Sequence, residues 1–268
     1  MKVKKAVLPV AGVGTRFLPA TKVVPKELFP IVDKPVIQYL VEEAVLSGIE
    51  EIIFVISKGK ELIIDHFSPK PELEDFLRQK GKMDILEKVK PIHDMAKFSY
   101  VYQDSPLGDG HAVLQAEKLV GGEPFLVLFG DDIVKHEIPA AKQLLDNFFG
   151  ESIIAVEKVP MSEISAYGVI EPGDKKGELY SVKSLVEKPD QSEAPSDLGI
   201  IGKYVCPPEI FDALKKSTSS KGGEIRLIDG FITLSKDQGI WACQIKGERF
   251  DTGKAEGLVE ANKAFLNF

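Results

Sequence analysis

The chain has 268 residues, with 34 Lys and Arg against 41 Asp and Glu, a net charge of −7 and an apolar share of 44%. That length gives one large or two small domains with a full core, and the composition argues against a fibrous or disordered chain. The acidic balance argues against a general nucleic-acid binder, no apolar run reaches the roughly 18 residues of a membrane span, and two cysteines, Cys206 and Cys243, point to free thiols in a reducing cytosol.

Met1 to Ala11 has the outline of a signal peptide, but its apolar stretch breaks at once into Gly12-Val13-Gly14-Thr15-Arg16. A first strand over Lys5–Val10 feeding a loop fits better. A helix follows over Val36–Leu46, with Pro35 at its first position and Gly48 as its stop, and then a β-branched strand over Glu51–Ile56. Residues 58–98 are rich in charge and read as a helical insertion at a sheet edge, with an ordinary pair of surface helices as the alternative, and with one helical stretch around Glu72–Lys90. Strands at Ser99–Gln103 and Phe125–Phe129 flank a helix at His111–Leu119, and a helix near Pro139–Phe148 precedes a strand at Ser152–Val156. Strands alternating with helices predict an α/β, Rossmann-like fold: a mixed, mostly parallel sheet with helices on both faces.

After about residue 158 the rhythm changes. Strands are expected at Tyr167–Glu171, Glu178–Glu187 and Leu198–Val205, with a turn at Pro172–Gly177. Helices follow at Pro207–Lys216 and Glu224–Ser235, then a strand at Ile240–Ile245 and a helix from Lys254 to about Leu266. With no low-complexity linker and no repeat, one domain over 1–268 is expected.

The loop after the first strand carries the strongest chemical signal. Residues 1–26 hold six basic side chains and no acidic one, in a chain that is acidic as a whole. Gly12 and Gly14 would let backbone N–H groups approach an anion, while Arg16 and Lys26 add charge. Such a loop at the carboxyl end of a strand is where α/β sheets bind ligands. The dinucleotide fingerprint fails, because Phe17 stands where a third glycine is needed and no acidic residue closes the second strand; the P-loop pattern is absent there too. The second signal is Phe125–Phe129 running into Gly130-Asp131-Asp132. A carboxylate at that place beside a phosphate loop suits Mg²⁺, although either aspartate alone is also a common turn or cap residue. No His or Cys spacing points to zinc or to a nucleophile–histidine pair.

Ala11-Gly12-Val13-Gly14-Thr15-Arg16, continued as Phe17–Lys22 and Pro25-Lys26-Glu27, resembles the signature of bacterial sugar-1-phosphate nucleotidyltransferases. The run Leu18–Glu27 is specifically similar to the uridylyltransferases that act on glucose-1-phosphate. Asp33-Lys34-Pro35, Gly108–Val113, Ala166–Ile170 and Val186-Glu187-Lys188-Pro189 extend the likeness over nearly the whole chain. The departures are Asp109, where the family usually has Leu, and Arg226 and Ile228, where it often has Gln and Thr.

The resemblance implies transfer of a uridylyl group from UTP to glucose-1-phosphate, in a cytoplasmic homo-oligomer, dimer or tetramer, with Mg²⁺ as cofactor. It implies a nucleotide-binding part over about 1–158 and a sugar-binding and C-terminal part over about 159–268. Arg16 and Lys26 would act on the triphosphate, and Ala11, Gly12, Gly14, Thr15, Gln103 and Gly108 would hold the nucleotide, with Gln103 on the uracil edge. Gly168, Glu187 and Lys188 would take the sugar phosphate, and Asp131 and Asp251 the metal, with Asp132 the less important member of its pair. A relative using dTTP, or a nucleotide-sugar-binding protein without activity, are the competing readings.

Overall fold

Buried strands must place apolar side chains on both faces, and the short β-branched runs do so. The computed structural model describes residues 2–217 and 223–266. Thirteen strands are present among them: β1 Lys5–Pro9, β2 Pro30–Ile31, β3 Lys34–Pro35, β4 Glu51–Ile56, β5 Lys97–Tyr102, β6 Phe125–Leu128, β7 Asp132–Lys135, β8 Ser152–Lys158, β9 Gly168–Lys176, β10 Leu179–Glu187, β11 Leu198–Cys206, β12 Ile240–Gln244 and β13 Glu248–Asp251. Nine of these form one sheet in the order β5-β4-β1-β6-β11-β8-β12-β10-β9, which draws on both halves of the chain.

Following the ladders across this sheet, seven strands point one way and only β10 and β11 run against them. The sheet is thus mixed and mostly parallel in strand direction. Alternate residues of one strand enter different cores: Ala6, Leu8, Ile52, Phe54 and Leu128 face one layer, and Val7, Ile53, Val55, Phe125 and Val127 the other. The first layer is covered by helices Val36–Leu46, Ala140–Leu145 and Ala255–Leu266; the second by Asp109–Gln115, Ile210–Lys216 and Leu227–Leu234.

Residues between β4 and the edge strand β5 are helical, as both readings require, but the expected Glu72–Lys90 stretch is two helices, Pro71–Gln79 and Met83–Val89. Gly81 at φ +66° separates them, a left-handed position that ends a helix at little cost for glycine. The expected turn at Pro172–Gly177 shrinks to its last residue. Strand β9 runs through Pro172 to Lys176, because a missing N–H is tolerated in the outermost strand of the sheet. Bulges in the β9–β10 hairpin bend it so that Val169 also pairs with Gly199 in β11. The antiparallel ribbon β7–β13, with Asp251 opposite Asp132, has no counterpart in the sequence reading.

Beneath the first loop lies a buried ion pair. Lys60 donates to both carboxylate oxygens of Glu27, at 3.0 and 2.9 Å, and to Val10 O at 2.7 Å. Glu27 is 1% exposed and Lys60 7%. Burial pushes the Glu27 carboxyl up and the Lys60 ammonium down, each held back by the other's charge. Removing one partner strands the other in an apolar setting, so Lys60→Met alone is expected to cost about 3–5 kcal/mol in urea unfolding. Adding Glu27→Leu to it should recover most of that loss, and a double variant no more stable than the single one would show that the pair is not the source.

Candidate active site

The first loop leaves β1, and Phe129-Gly130-Asp131 leaves β6. The two strands are adjacent and parallel, so both loops emerge at the same edge of the sheet. There Lys26 Nζ donates to Asp131 Oδ2 at 2.6 Å, with both side chains about one-fifth exposed. Burial works against the Lys26 charge, but the Asp131 and Glu27 carboxylates outweigh it, and the ammonium ends with a raised pKa.

Two cavities meet at this point. One, of about 510 Å³, is lined by Ala11, Gly12, Arg16, Lys26, Gln103, Gly108 and Asp131 among others. The second, of about 240 Å³, is lined by Arg16, Asp131, Gly168, Glu187, Lys188 and Asp251 among others. Arg16, Asp109, Phe129 and Asp131 belong to both. The residues expected to take nucleotide and those expected to take sugar phosphate thus line two cavities that share those four residues. Gly14 and Thr15 line neither. Gly14 shapes the loop instead: it sits at φ +71°, and its carbonyl accepts the Thr21 hydroxyl at 2.8 Å. Thr15 is exposed and opens a short 3₁₀ turn, Thr15–Phe17, that carries Arg16.

Gln103 follows β5 and is 8% exposed. Its amide nitrogen donates to Gly108 O at 3.0 Å and lies 3.0 Å from His111 Nδ1. Gly108, at φ +101°, lies so close to residue 225 that a Cβ would run into the Ile225 carbonyl. Three hydrogen bonds stitch these segments together: Ile225 N to Leu107 O at 2.7 Å, His111 N to Ile225 O at 3.2 Å, and Leu227 N to Asp109 Oδ1 at 2.7 Å.

In the second cavity, a Cβ at Gly168 would meet Ile228 Cδ1 at 3.0 Å and Glu187 Oε2 at 3.1 Å, so any larger residue there would have to push those side-chain tips aside. Lys188 lies 3.6 Å from Glu187 Oε1 and holds φ +47°, with its N–H donating to Tyr167 O at 3.0 Å. A non-glycine residue there costs of order 1–2 kcal/mol, a strain of the kind that gathers at functional sites.

The ribbon β7–β13 brings Asp251 to Asp131. A Cβ placed on Gly253 would lie 2.5 Å from Asp131 Oδ2 and 3.0 Å from Asp251 Oδ1, so the two carboxylates face a common space. Thr252 clamps the arrangement through its N–H and hydroxyl, at 2.8 and 2.9 Å from Asp131 O. Among the described residues no three His, Cys, Asp or Glu side chains are grouped to hold a metal ion. A pair of carboxylates is the usual protein share for Mg²⁺, which completes its shell with water and phosphate.

Sequence reasoning missed a charged scaffold behind these groups. Asp132 is 6% exposed, accepts Gly202 N at 2.9 Å and pairs with Arg249, whose guanidinium also donates to Glu157 at 2.8 Å. Asp132 is therefore a buried anchor of the ribbon. Lys203, wholly buried, donates to Glu43 at 2.8 Å. Only a charged residue inside an otherwise apolar strand could have signalled it.

The nucleotidyl transferase model matches residues 5–267, and the chain belongs to that family. It is 50% identical over 261 residues to the UTP–glucose-1-phosphate uridylyltransferase of Staphylococcus epidermidis, covering 97% of this chain and 91% of the relative. It is 49% identical over 266 residues to that of Bacillus subtilis, covering 98% and 91%. A crystal structure of UDP-glucose pyrophosphorylase complexed with UDP-glucose superposes with a TM-score of 0.89 at 40% identity, over 99% of both chains.

Asp109 carries a measurable cost. Burial pushes its carboxyl up to about 6, only partly offset by the Leu227 N–H. A raised carboxyl contributes stability that is present below its unfolded pKa of about 4 and is lost as pH rises through 6. Asp109→Asn keeps an acceptor for Leu227 and sheds the charge. It is expected to stabilise the protein at pH 7.5 by up to about 3 kcal/mol, using about 1.4 kcal/mol per pKa unit. The gain should vanish near pH 3.5 in denaturant titrations, and an equal gain at both pH values would refute the charge as its origin.

Proposed function

We propose that this chain transfers a uridylyl group from UTP to glucose-1-phosphate, giving UDP-glucose and pyrophosphate. The observation that carries this reading is the meeting of two cavities at Arg16 and Asp131, one walled by a phosphate loop and the other by Glu187 and Lys188. The names of the relatives at half identity support the same substrates.

The nucleophile is an oxygen of the sugar phosphate. It attacks the α phosphorus of UTP; the new P–O bond forms as the bond to the bridging α–β oxygen breaks, and pyrophosphate leaves with that electron pair. The attacking oxygen is already anionic, so the step needs no general base. What it needs is in-line placement and neutralised repulsion between two anions. Arg16 and Lys26 act on the triphosphate and the departing pyrophosphate, with the backbone at Ala11 and Gly12 close to it; Gly14 and Thr15 act by shaping that loop. Gln103, its nitrogen engaged, turns its carbonyl oxygen to the uracil ring beside Gly108. Lys188 takes the sugar phosphate, Glu187 accepts from sugar hydroxyls, and Gly168 leaves room for the ring. Asp131 and Asp251 fit a Mg²⁺ ion by donor type and convergence, and the bound ion would supply charge neutralisation between the two phosphates. The first half of the chain then serves the nucleotide and the second the sugar. We include in the proposal a cytosolic location, in keeping with two free, buried cysteines, and assembly as a dimer or tetramer.

UTP with glucose-1-phosphate and Mg²⁺ should give the highest kcat/KM in a panel of nucleotides and sugar phosphates, and a preference for dTTP would reject the reading. Asp131→Asn and Asp251→Asn should each lose most turnover and raise the Mg²⁺ concentration needed for half-maximal rate. Near-normal rates at limiting Mg²⁺ in either variant would remove that residue from the metal site.

The two lysines divide the phosphates between them. At about 4 Å and an effective dielectric near 20, one charge pair is worth roughly 4 kcal/mol before solvent takes its share. Lys188→Ala should lower kcat/KM for glucose-1-phosphate by about two to three orders of magnitude, with UTP affinity little changed in calorimetry. Lys26→Ala should weaken UTP. Equal loss of UTP affinity in both would show that the assignment is wrong.

A further inference from the structure

The sugar-side cavity carries charges beyond those the reaction uses. Arg226 is held by Asp229: its Nε and Nη2 donate to the two carboxylate oxygens at 3.1 and 2.9 Å, and its backbone N–H to Oδ2 at 3.1 Å. A third nitrogen lies 3.7 Å from Glu187 Oε1. Asp109 lines the same cavity and acts on both Glu187 and Arg226 through its charge. Two carboxylates thus flank one guanidinium, whose fork is already committed to Asp229, and Asp109 lines the same cavity. The other cation near Glu187, Lys188, has a side chain 62% exposed and belongs to the phosphate end. On this wall Asp109, Glu187 and Asp229 outnumber Arg226, while Arg16, Arg249 and Lys254 balance Asp131, Asp132 and Asp251 elsewhere in the cavity lining, and burial disfavours the Asp109 charge. A charge retained against stability beside a ligand cavity belongs to function rather than to folding.

Resting on the reading above, we propose that Asp109 and Arg226 set which sugar phosphates the site accepts: Asp109 adds a second carboxylate beside Glu187, and Arg226 tempers it without cancelling it. The wall accepts a neutral, hydroxyl-rich ring, which supplies O–H donors to carboxylate oxygens. It rejects a ring bearing a second anionic group, such as a hexuronic acid 1-phosphate, because a buried like-charge encounter is poorly screened.

The test measures kcat/KM with saturating UTP for glucose-1-phosphate and for glucuronic acid 1-phosphate, in the wild type, Asp109→Asn and Arg226→Gln. Wild type should strongly prefer glucose-1-phosphate. Asp109→Asn should raise the glucuronate-to-glucose ratio by about ten- to a hundredfold, the worth of one unit charge a few ångströms away at intermediate dielectric. Arg226→Gln frees the Asp229 carboxylate and should lower the ratio. Opposite shifts mark charge, whereas a merely structural role would move both variants the same way. An unchanged ratio in Asp109→Asn, or shifts of one sign in both variants, overturns the inference while leaving the uridylyl transfer standing. No turnover of glucose-1-phosphate by the wild type overturns both.

Discussion

Everything in the site is arranged around one contact, the ammonium of Lys26 on the carboxylate of Asp131 at 2.6 Å. It joins the loop after β1 to the loop after β6, two strands that pair directly, and its carboxylate lines both cavities. The task there is to let two phosphate groups approach within bonding distance although both are anionic. In the proposed mechanism, fixed cations on one side and a carboxylate pair suited to a cation on the other meet that requirement without any acid–base residue. The buried Glu27–Lys60 pair beneath supports the same loop, so its position is set by charges that water cannot easily screen.

The parts of the molecule legible in the sequence are those with strong local pattern. Runs such as Phe125–Leu128, apolar on both faces, identify strands that lie between two helical layers, and the glycine-and-basic loop identifies the anion side. The resemblance adds the sugar side, because Glu187-Lys188-Pro189 has no distinctive local chemistry. What stays hidden is long-range. The two four-residue strands of the β7–β13 ribbon are too short and too charged to register as strands, yet their pairing is what carries Asp251 to Asp131. Burial of Asp132, Lys203 and Arg249 is equally invisible, since a charged residue reads as surface until its partner is known. Gly14 and Thr15 illustrate the reverse case: a motif position singled out by pattern turns out to build the loop rather than to line a cavity.

Several residues at the site hold conformations or charges that the fold alone would not select. Lys188 keeps a left-handed backbone, and Asp109 keeps a carboxylate where burial disfavours it. Both sit on segments tied elsewhere, Lys188 by Tyr167 and Asp109 by the N–H at the start of the helix from Leu227. Rigid attachment lets the site hold such groups in place, because the surrounding hydrogen bonds determine their geometry.

The ribbon that completes the carboxylate pair spans a long stretch of chain: Thr252 grips Asp131 across 121 positions of sequence. During synthesis the phosphate loop, the base pocket and Asp131 all emerge well before Asp251 does. A chain that ends before β13 lacks Asp251, the second carboxylate of the proposed reaction centre. Under the proposed roles, chemical competence arrives only with the last strand, so a partly made polypeptide has no assembled machinery with which to consume a triphosphate.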